Sequence, residues 1–380
     1  MNFAGERVEV PGLRGPSYQP AALLLILAAC GTQLCCSRPS EARARQDREV
    51  GRAEIDTLGV EVAGGLAVVQ ALAPDSISLW ASAPRLELAV SFHAPAPETL
   101  WLEVENCIAG ATLDAGPIPV ADEGREGKTC RFRVGPFEGA EQLELRLAPP
   151  GSEAASPFRF AVMSDVQEAI DRVQDIYAVV NREPGLDFMF SAGDLTEFGT
   201  GAELERFQTE LKGLDIPYYA TLGNHELRES VCRFQDYFGR GSLSFEYRGA
   251  RLTLLDSASA TIDPIVMGWL DEWLDLGLDQ LHVVAMHVPP RDPIGMRDVA
   301  FASRNEASQL LARLAAGGVD LTLYGHIHSY YRFENAGIPA YISGGGGSHP
   351  ERFDGIGRHF LVVEADPIAA TLVVRVVRVD

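Results

Sequence analysis

Tyr324-Gly325-His326-Ile327-His328-Ser329 is the stretch from which the rest of the chain can be read. It follows the apolar run Val319-Asp320-Leu321-Thr322-Leu323, which reads as a buried strand. Residues at i and i+2 of an extended segment point to one face, so the imidazoles of His326 and His328 are predicted to meet just past the strand end. Gly325 lets the backbone turn there without a Cβ in the way. Two neutral imidazoles aimed at one spot suit a first-row metal ion. Taken alone, a His-x-His at a strand end is as readily plain polar surface, so the weight comes from four further stretches.

From Phe158 onward, strand-like runs alternate with helical ones. Phe158–Met163, Phe188–Ser191, Pro217–Thr221, Leu281–Met286 and Leu321–Leu323 read as strands. Gln167–Asn181, Gly201–Leu211 and Asn305–Leu314 read as helices. This alternation predicts a layered α/β domain over 157–380, and such sheets place their sites just past the strand C-termini. Polar residues fall there each time: Ser164-Asp165-Val166-Gln167, Ala192-Gly193-Asp194-Leu195-Thr196-Glu197, Leu222-Gly223-Asn224-His225-Glu226, His287-Val288-Pro289-Pro290, and the opening stretch. Each has a bland reading: a helix N-cap for Asp165 or Asp194, a turn for Gly223-Asn224, a satisfied buried imidazole for His287. All five together, offering only oxygen and nitrogen donors, predict a two-metal site.

In these five motifs the chain resembles the calcineurin-like metallophosphoesterases, whose pattern is D-x-H, G-D-x-x, G-N-H-[DE], H and G-H-x-H. The resemblance runs from about Phe158 to Ile342. It implies a β-sandwich core flanked by helices, and a pair of divalent ions whose identity (Mn, Fe, Zn or Mg) stays open. Asp194 would bridge the ions, Asp165 and His328 would hold the first, and Asn224, His287 and His326 the second. His225 would bind no metal and would act as general acid or electrostatic stabiliser over the substrate phosphate. The chemistry agrees: phosphoester hydrolysis needs a nucleophile at neutral pH, and two divalent ions about 3.5–4 Å apart acidify a bridging water and clamp the phosphoryl oxygens.

One position departs from the family. Where the pattern has its first His, this chain has Gln167. Either the Gln167 amide oxygen ligates the first ion, or Gln167 supports a ligand from behind; both imply a looser first metal. Purple acid phosphatases also lack that His, but they place a Tyr three residues past the bridging Asp, where this chain has Glu197. Arg228, Arg291, Arg297, Tyr330 and Tyr331 are candidates for substrate contact, each with surface charge or core aromatic as the equal alternative.

The flanking sequence sets the context. The chain has 380 residues, 46% of them hydrophobic, and a formal net charge of −21, which argues against a nucleic-acid groove and leaves a small phosphoester as the expected partner. Ala21–Ala29 is a nine-residue apolar core, too short to span a bilayer and suited to a signal h-region. It runs into Leu27-Ala28-Ala29-Cys30, which resembles a bacterial lipobox. Residues 1–30 are therefore expected to direct export, with lipidated Cys30 anchoring the chain to a bacterial cell envelope. Residues 31–52 read as a polar linker. Between 53 and 150, short alternating runs separated by Pro- and Gly-rich turns predict a small all-β domain, an antiparallel Ig- or fibronectin-like sandwich. Cys107 and Cys130 are either a disulfide or two buried thiols. The expected activity is metal-dependent phosphoester hydrolysis, with mono- and diester substrates both open. A cell-surface binding protein with a vestigial site is the alternative.

Overall fold

The structure, a computed structural model, describes residues 39–137, 141–295, 299–351 and 356–379. The expected export segment with Cys30, and Arg297 in the loop after His287, lie outside the described residues. Residues 37–380 form one compact unit. Among the described residues no helix is long and apolar enough to cross a membrane.

From Pro39 onward the first element corrects the linker expected over 31–52, whose residues 31–38 lie outside the described residues. Pro39–Glu49 is a helix, α1, and it is docked. Ser40, Arg43, Ala44 and Asp47 are buried, a stripe with helical spacing that is polar at three of its four positions. Arg43 donates to Asp256 at 2.7 and 3.2 Å and to Ser259 at 2.9 Å. Asp47 accepts from Gln235 Nε2 and the backbone N–H groups of Gly241 and Ser242, at 2.9–3.0 Å. Ser40 donates to Asp263 at 3.1 Å. Paired charge rather than apolar area fixes this helix.

Ten strands follow: β1 Arg52–Glu54, β2 Leu58–Val62, β3 Ala67–Ala73, β4 Ser76–Ala81, β5 Leu86–Phe92, β6 Leu100–Glu105, β7 Thr112–Asp114, β8 Val120–Glu126, β9 Thr129–Val134 and β10 Gln142–Ala148. They form two five-stranded sheets, ordered β1-β2-β5-β10-β7 and β3-β4-β6-β9-β8. Leu58, Leu88, Leu145, Leu79, Leu102 and Phe132, drawn from both, are buried in one core cluster. The expectation of purely antiparallel pairing fails at one place. β4 and β6 pair parallel, because the chain visits the opposite sheet through β5 between them. Cys107 and Cys130 form a disulfide, with Cα atoms 6.4 Å apart.

The rest of the chain adds β11 Phe158–Met163, α2 Gln174–Val180, β12 Phe188–Ser191, α3 Gly201–Glu210, β13 Tyr218–Ala220, α4 Phe234–Phe238, β14 Leu243–Tyr247, β15 Ala250–Leu255, α5 Pro264–Gly277, β16 Leu281–Met286, α6 Arg304–Ala316, β17 Leu321–Tyr324, β18 Tyr330–Asn335, β19 Ile338–Ser343, β20 His359–Asp366 and β21 Thr371–Arg378. These give a sheet ordered β13-β12-β11-β20-β21 and another ordered β14-β15-β16-β17-β19-β18. Phe160, Phe188, Phe190 and Leu361 of the first sheet share a core with Phe245, Leu254, Val283 and Leu323 of the second. On the other face of the first sheet, Met163 and Met189 pack with Ile176, Leu204, Phe207 and Phe234 of the helices. On the other face of the second, Val284 and Met286 pack with Leu270, Leu274, Leu310 and Leu314 of α5 and α6. The outcome is a mixed α/β architecture of two facing sheets with helices outside, as such alternation requires.

The two sheets of β1–β10 meet this body through apolar packing, with Val68 and Trp80 buried in the helix-side cluster and the Trp80 ring 5.8 Å from that of Phe238, and through polar contacts. Asn106 donates to Tyr218 O at 2.8 Å and accepts from Tyr218 N at 2.8 Å, pairing with edge strand β13 as a strand would. Lys128 Nζ meets the carbonyls of Leu211 and Leu214, capping the turn after α3.

Candidate metal centre

Central strands of the two sheets run parallel, so their C-terminal ends collect at one edge. The loops leaving them are stitched together. Asp165 N donates to Gly193 O at 3.1 Å, Val166 N to Asp194 O at 2.9 Å, and Gly325 N to His287 O at 3.1 Å. Four non-glycine residues in these loops take left-handed backbone conformations: Asp165 (φ 63°), Gln167 (49°), Asp194 (55°) and His326 (71°). Such backbone costs energy and persists only where surrounding contacts over-determine it. Gly223 is required by proximity, since a Cβ there would collide with the Asp194 carboxylate.

Six of the predicted site residues converge, and five of them form two groups that could hold a metal ion. Asp194, His287 and His326 form one group and Asp165, Asp194 and His328 another; within each, one donor atom per residue lies within 4.8 Å of the others. Asp194 belongs to both. Asn224 Oδ1 lies 3.0 Å from His287 Nε2, on the side of the first group.

Hydrogen bonds behind the rings decide which nitrogens face the centre. His287 Nδ1 donates to Ala192 O at 2.8 Å and His328 Nδ1 to His349 O at 2.8 Å, leaving both Nε2 atoms pointing inward as lone pairs. His287 Nε2 then faces His326 Nδ1 at 3.2 Å, Asp194 Oδ2 at 3.2 Å and Asn224 Oδ1 at 3.0 Å. Acceptor faces acceptor, an arrangement stable only around a cation or a proton. The donor set is nitrogen and oxygen throughout, which suits Mn, Fe or Zn, so the residues fit the divalent ions that the motifs imply.

The electrostatics agree. Burial would lower His287, but the Asp194 carboxylate, with Asp165 behind it, outweighs this and raises the imidazole to about 9. Burial likewise opposes, and Asp165 overcomes, a rise of His328 to about 9. His326 goes the other way, to about 4, through burial and the neighbouring His287 charge. Asp165 and Asp194 are pushed up by burial but held below the usual carboxylate range by His328 and His287.

Of the two readings of Gln167, ligand or support, its contacts here match the second. It is buried beside the centre, yet its Nε2 donates to Asp194 Oδ2 at 2.7 Å and faces His328 Nε2 at 3.1 Å, while its Oε1 accepts from Ser348 Oγ at 2.7 Å. With its oxygen committed elsewhere it supports the ligands as a donor. His225 sits at the rim. Its backbone N donates to Asp194 Oδ1 at 2.9 Å, its Nδ1 to Glu197 O at 3.0 Å, and its Nε2 is 3.8 Å from Asp194 Oδ2. Arg228 Nη2 lies 2.9 Å from His225 Nε2, and Arg228 Nη1 pairs with the Glu197 carboxylate.

Of the other substrate-contact candidates, Arg291 is exposed on the loop after His287. Tyr330 packs against Tyr341 and His359, and Tyr331 against the core beneath α5 and α6, so both aromatics have structural neighbours. Sequence reasoning passed over Glu226. Fully buried, it accepts from Asp194 N at 3.1 Å, Gly223 N at 2.7 Å and Thr196 N and Oγ1 at 2.9 and 3.1 Å, tying two ligand loops together. Burial and then Asp194 raise it to about 7, against those donated bonds. Its signal lay in the motif, directly after His225. Ser164, which donates to Ser343 O at 2.9 Å and also bonds the Asp165 carboxylate, left no such signal.

Residues 158–330 match the family model described as calcineurin-like phosphoesterase. Among curated proteins, the chain is 26% identical over 178 residues to the 3',5'-cyclic-nucleotide phosphodiesterase alr5338 of Nostoc sp., covering 43% of this chain and 66% of that protein. It is 30% identical over 126 residues to a protein of Arcobacter nitrofigilis named "Probable glycerophosphodiester phosphodiesterase GpdQ", covering 30% and 46%. With purple acid phosphatase 18 of Arabidopsis thaliana it shares 26% over 248 residues, 55% of this chain and 54% of the relative. The matches thus span between about half and two thirds of these relatives' lengths.

Proposed function

We propose that the protein is a phosphoric ester hydrolase working through a pair of divalent ions. The observation that carries this is the shared carboxylate: Asp194 lies in both ligand groups, as a bridge between two ions would. Asp165, Asp194 and His328 would hold one ion, and Asp194, Asn224, His287 and His326 the other. Divalent ions there supply Lewis acidity to the phosphoryl oxygens and acidify water.

The protein's own groups do the rest. Ala192 O and His349 O fix the tautomers of His287 and His328. Glu197 O orients His225 so that its Nε2, which accepts from Arg228 here, faces the centre; protonated at that atom and released by Arg228, it would be in place to give a proton to the leaving alkoxide. Arg228, already at Nε2, can turn its guanidinium to a phosphoryl oxygen. Glu197 carries no phenol, which keeps this reading apart from a purple-type ferric centre despite the likeness to a plant purple acid phosphatase.

The same reading places the protein outside the cytoplasm, lipid-anchored through Cys30 on a bacterial envelope. The Cys107–Cys130 disulfide supports an oxidising compartment. The β1–β10 segment is read as an Ig- or fibronectin-like module held beside the hydrolase. The test is turnover of p-nitrophenyl phosphate and its bis ester by the full chain with Mn²⁺ and with EDTA. Mn²⁺-dependent release of nitrophenol is expected, and the better ester separates mono- from diesterase. No turnover by protein with metal bound would overturn the proposal in favour of a binding role.

A further inference from the structure

The loop that carries Asp194 also carries a feature that metal chemistry does not use. Phe198 is 51% exposed, one residue past Glu197. Its backbone is pinned from every side. Thr196 is held by Glu226, and Phe198 N donates to Glu203 Oε2 at 3.2 Å. Gly199 N donates to Thr196 Oγ1 at 2.9 Å, and Thr200 forms a capping box with Glu203 at the start of α3. Gly199 has φ 70°, and a Cβ there would collide with the Glu226 backbone. The backbone of the loop is therefore held, and it presents the half-exposed ring to water on a fixed mount.

What the ring faces gives it a use. The Arg228 guanidinium lies over it, Cζ 5.6 Å from the centroid, within cation–π range. The same guanidinium reaches Glu197 and, at 2.9 Å, His225 Nε2. Ring, guanidinium and imidazole thus form one contact chain, which ends at the atom expected to protonate the leaving group. A flat π face beside a delocalised cation suits a planar aromatic group, by stacking and by the cation–π attraction that Arg offers.

We propose that Phe198 and Arg228 form the leaving-group subsite, and that it selects phosphoesters whose alcohol carries a planar aromatic ring, an aryl group or a nucleobase. This rests on the hydrolase reading for its meaning, but its test does not depend on turnover. Calorimetry on the Mn²⁺-loaded full chain compares phenylphosphonate with methylphosphonate, and adenosine 5'-phosphate with ribose 5-phosphate. In the natural protein the aromatic member of each pair binds about tenfold tighter. Phe198→Ala brings the ratio close to one, and Phe198→Tyr keeps it. A loss confined to one pair assigns the subsite to that source, aryl or nucleobase. Ratios unmoved by Phe198→Ala in both pairs overturn the inference, and esterase activity then leaves the hydrolase reading standing. Lost ratios in a protein without turnover would keep the subsite and remove the hydrolase.

Discussion

Two buried polar clusters stand on the α/β body, and they are built on opposite plans. At the foot of α1, Arg43 meets Asp256 and Ser259, and Asp47 takes three N–H groups. Donor meets acceptor at each of these contacts. At the strand ends, His287 Nε2 confronts Asn224 Oδ1, His326 Nδ1 and Asp194 Oδ2, with its proton committed to Ala192 on the far side. A cluster whose groups satisfy one another is fastening, whereas one whose lone pairs converge is built for something added. Strand β16 and the residue that follows it show the contrast at close range. Burial and the Arg251 charge lower His282 to about 4, while carboxylates raise His287, five residues on, to about 9.

The largest effects belong to the converging cluster. Asp194→Ala removes the group common to both ligand sets, so elemental analysis should show both ions lost and kcat/KM down by about 10³-fold or more. His225→Ala should keep metal content and lower kcat by roughly 10²–10⁴-fold. If His225→Ala strips the metal instead, His225 is itself a ligand and the proton must reach the leaving group from another side chain.

The self-satisfied cluster should answer in stability and not in chemistry. Arg43→Ala leaves the Asp256 carboxylate buried without its counter-charge, a loss of about 3–5 kcal/mol, and calorimetry should find the melting temperature lowered by roughly 10 °C. Metal content below that temperature should stay as it was. Metal lost at low temperature would show that α1 shapes the centre as well as fastening the chain. Any fragment made for such work needs α1 and so begins before Pro39.

His282 sharpens the contrast through pH. Its folded value of about 4 lies below the ordinary value of 6.5, so between those limits the unfolded chain binds the extra proton. Its contribution, about 3 kcal/mol, is complete above about pH 6.5 and is lost on acidification towards pH 4. His282→Gln, which can still reach Thr253, should therefore melt closer to the natural protein as pH falls from 7 to 4.5. A gap between the two that is constant across that range would show that His282 titrates normally in the fold.

The same contrast explains what was legible in the sequence. Asp165, Asp194, Asn224, His287, His326 and His328 could be found because each follows an apolar strand, and periodicity locates strands. α1 was missed because its buried stripe is Ser40, Arg43, Ala44 and Asp47, a helical period written in residues that a hydrophobic pattern cannot register. Its partners Asp256, Gln235 and the Gly241-Ser242 backbone lie some two hundred residues away, and only folding brings them together. α5 was passed over although its start is signalled locally, by Asp263 capping the helix ahead of Pro264. The parallel β4–β6 pair had no local sign, since which sheet a strand joins is a tertiary decision.

Gln167 stands between the two plans and gives the smallest and most discriminating effect. Its donor end serves Asp194 and His328 while its acceptor end is occupied by Ser348, the arrangement expected of a brace behind the ligands. Gln167→Ala should then weaken one ion by about tenfold, the scale expected for removing a ligand's outer partner, and spare the ion held by Asn224, His287 and His326. Gln167→His offers a neutral imidazole where the amide was and should tighten that same ion. Chelator-competition titration of both variants resolves the two affinities. If Gln167→Ala releases the ion altogether, the side chain turns its oxygen inward when metal is present and ligates after all. If neither variant shifts either affinity, the two ligand groups act independently of this position, and the bracing role of Gln167 falls.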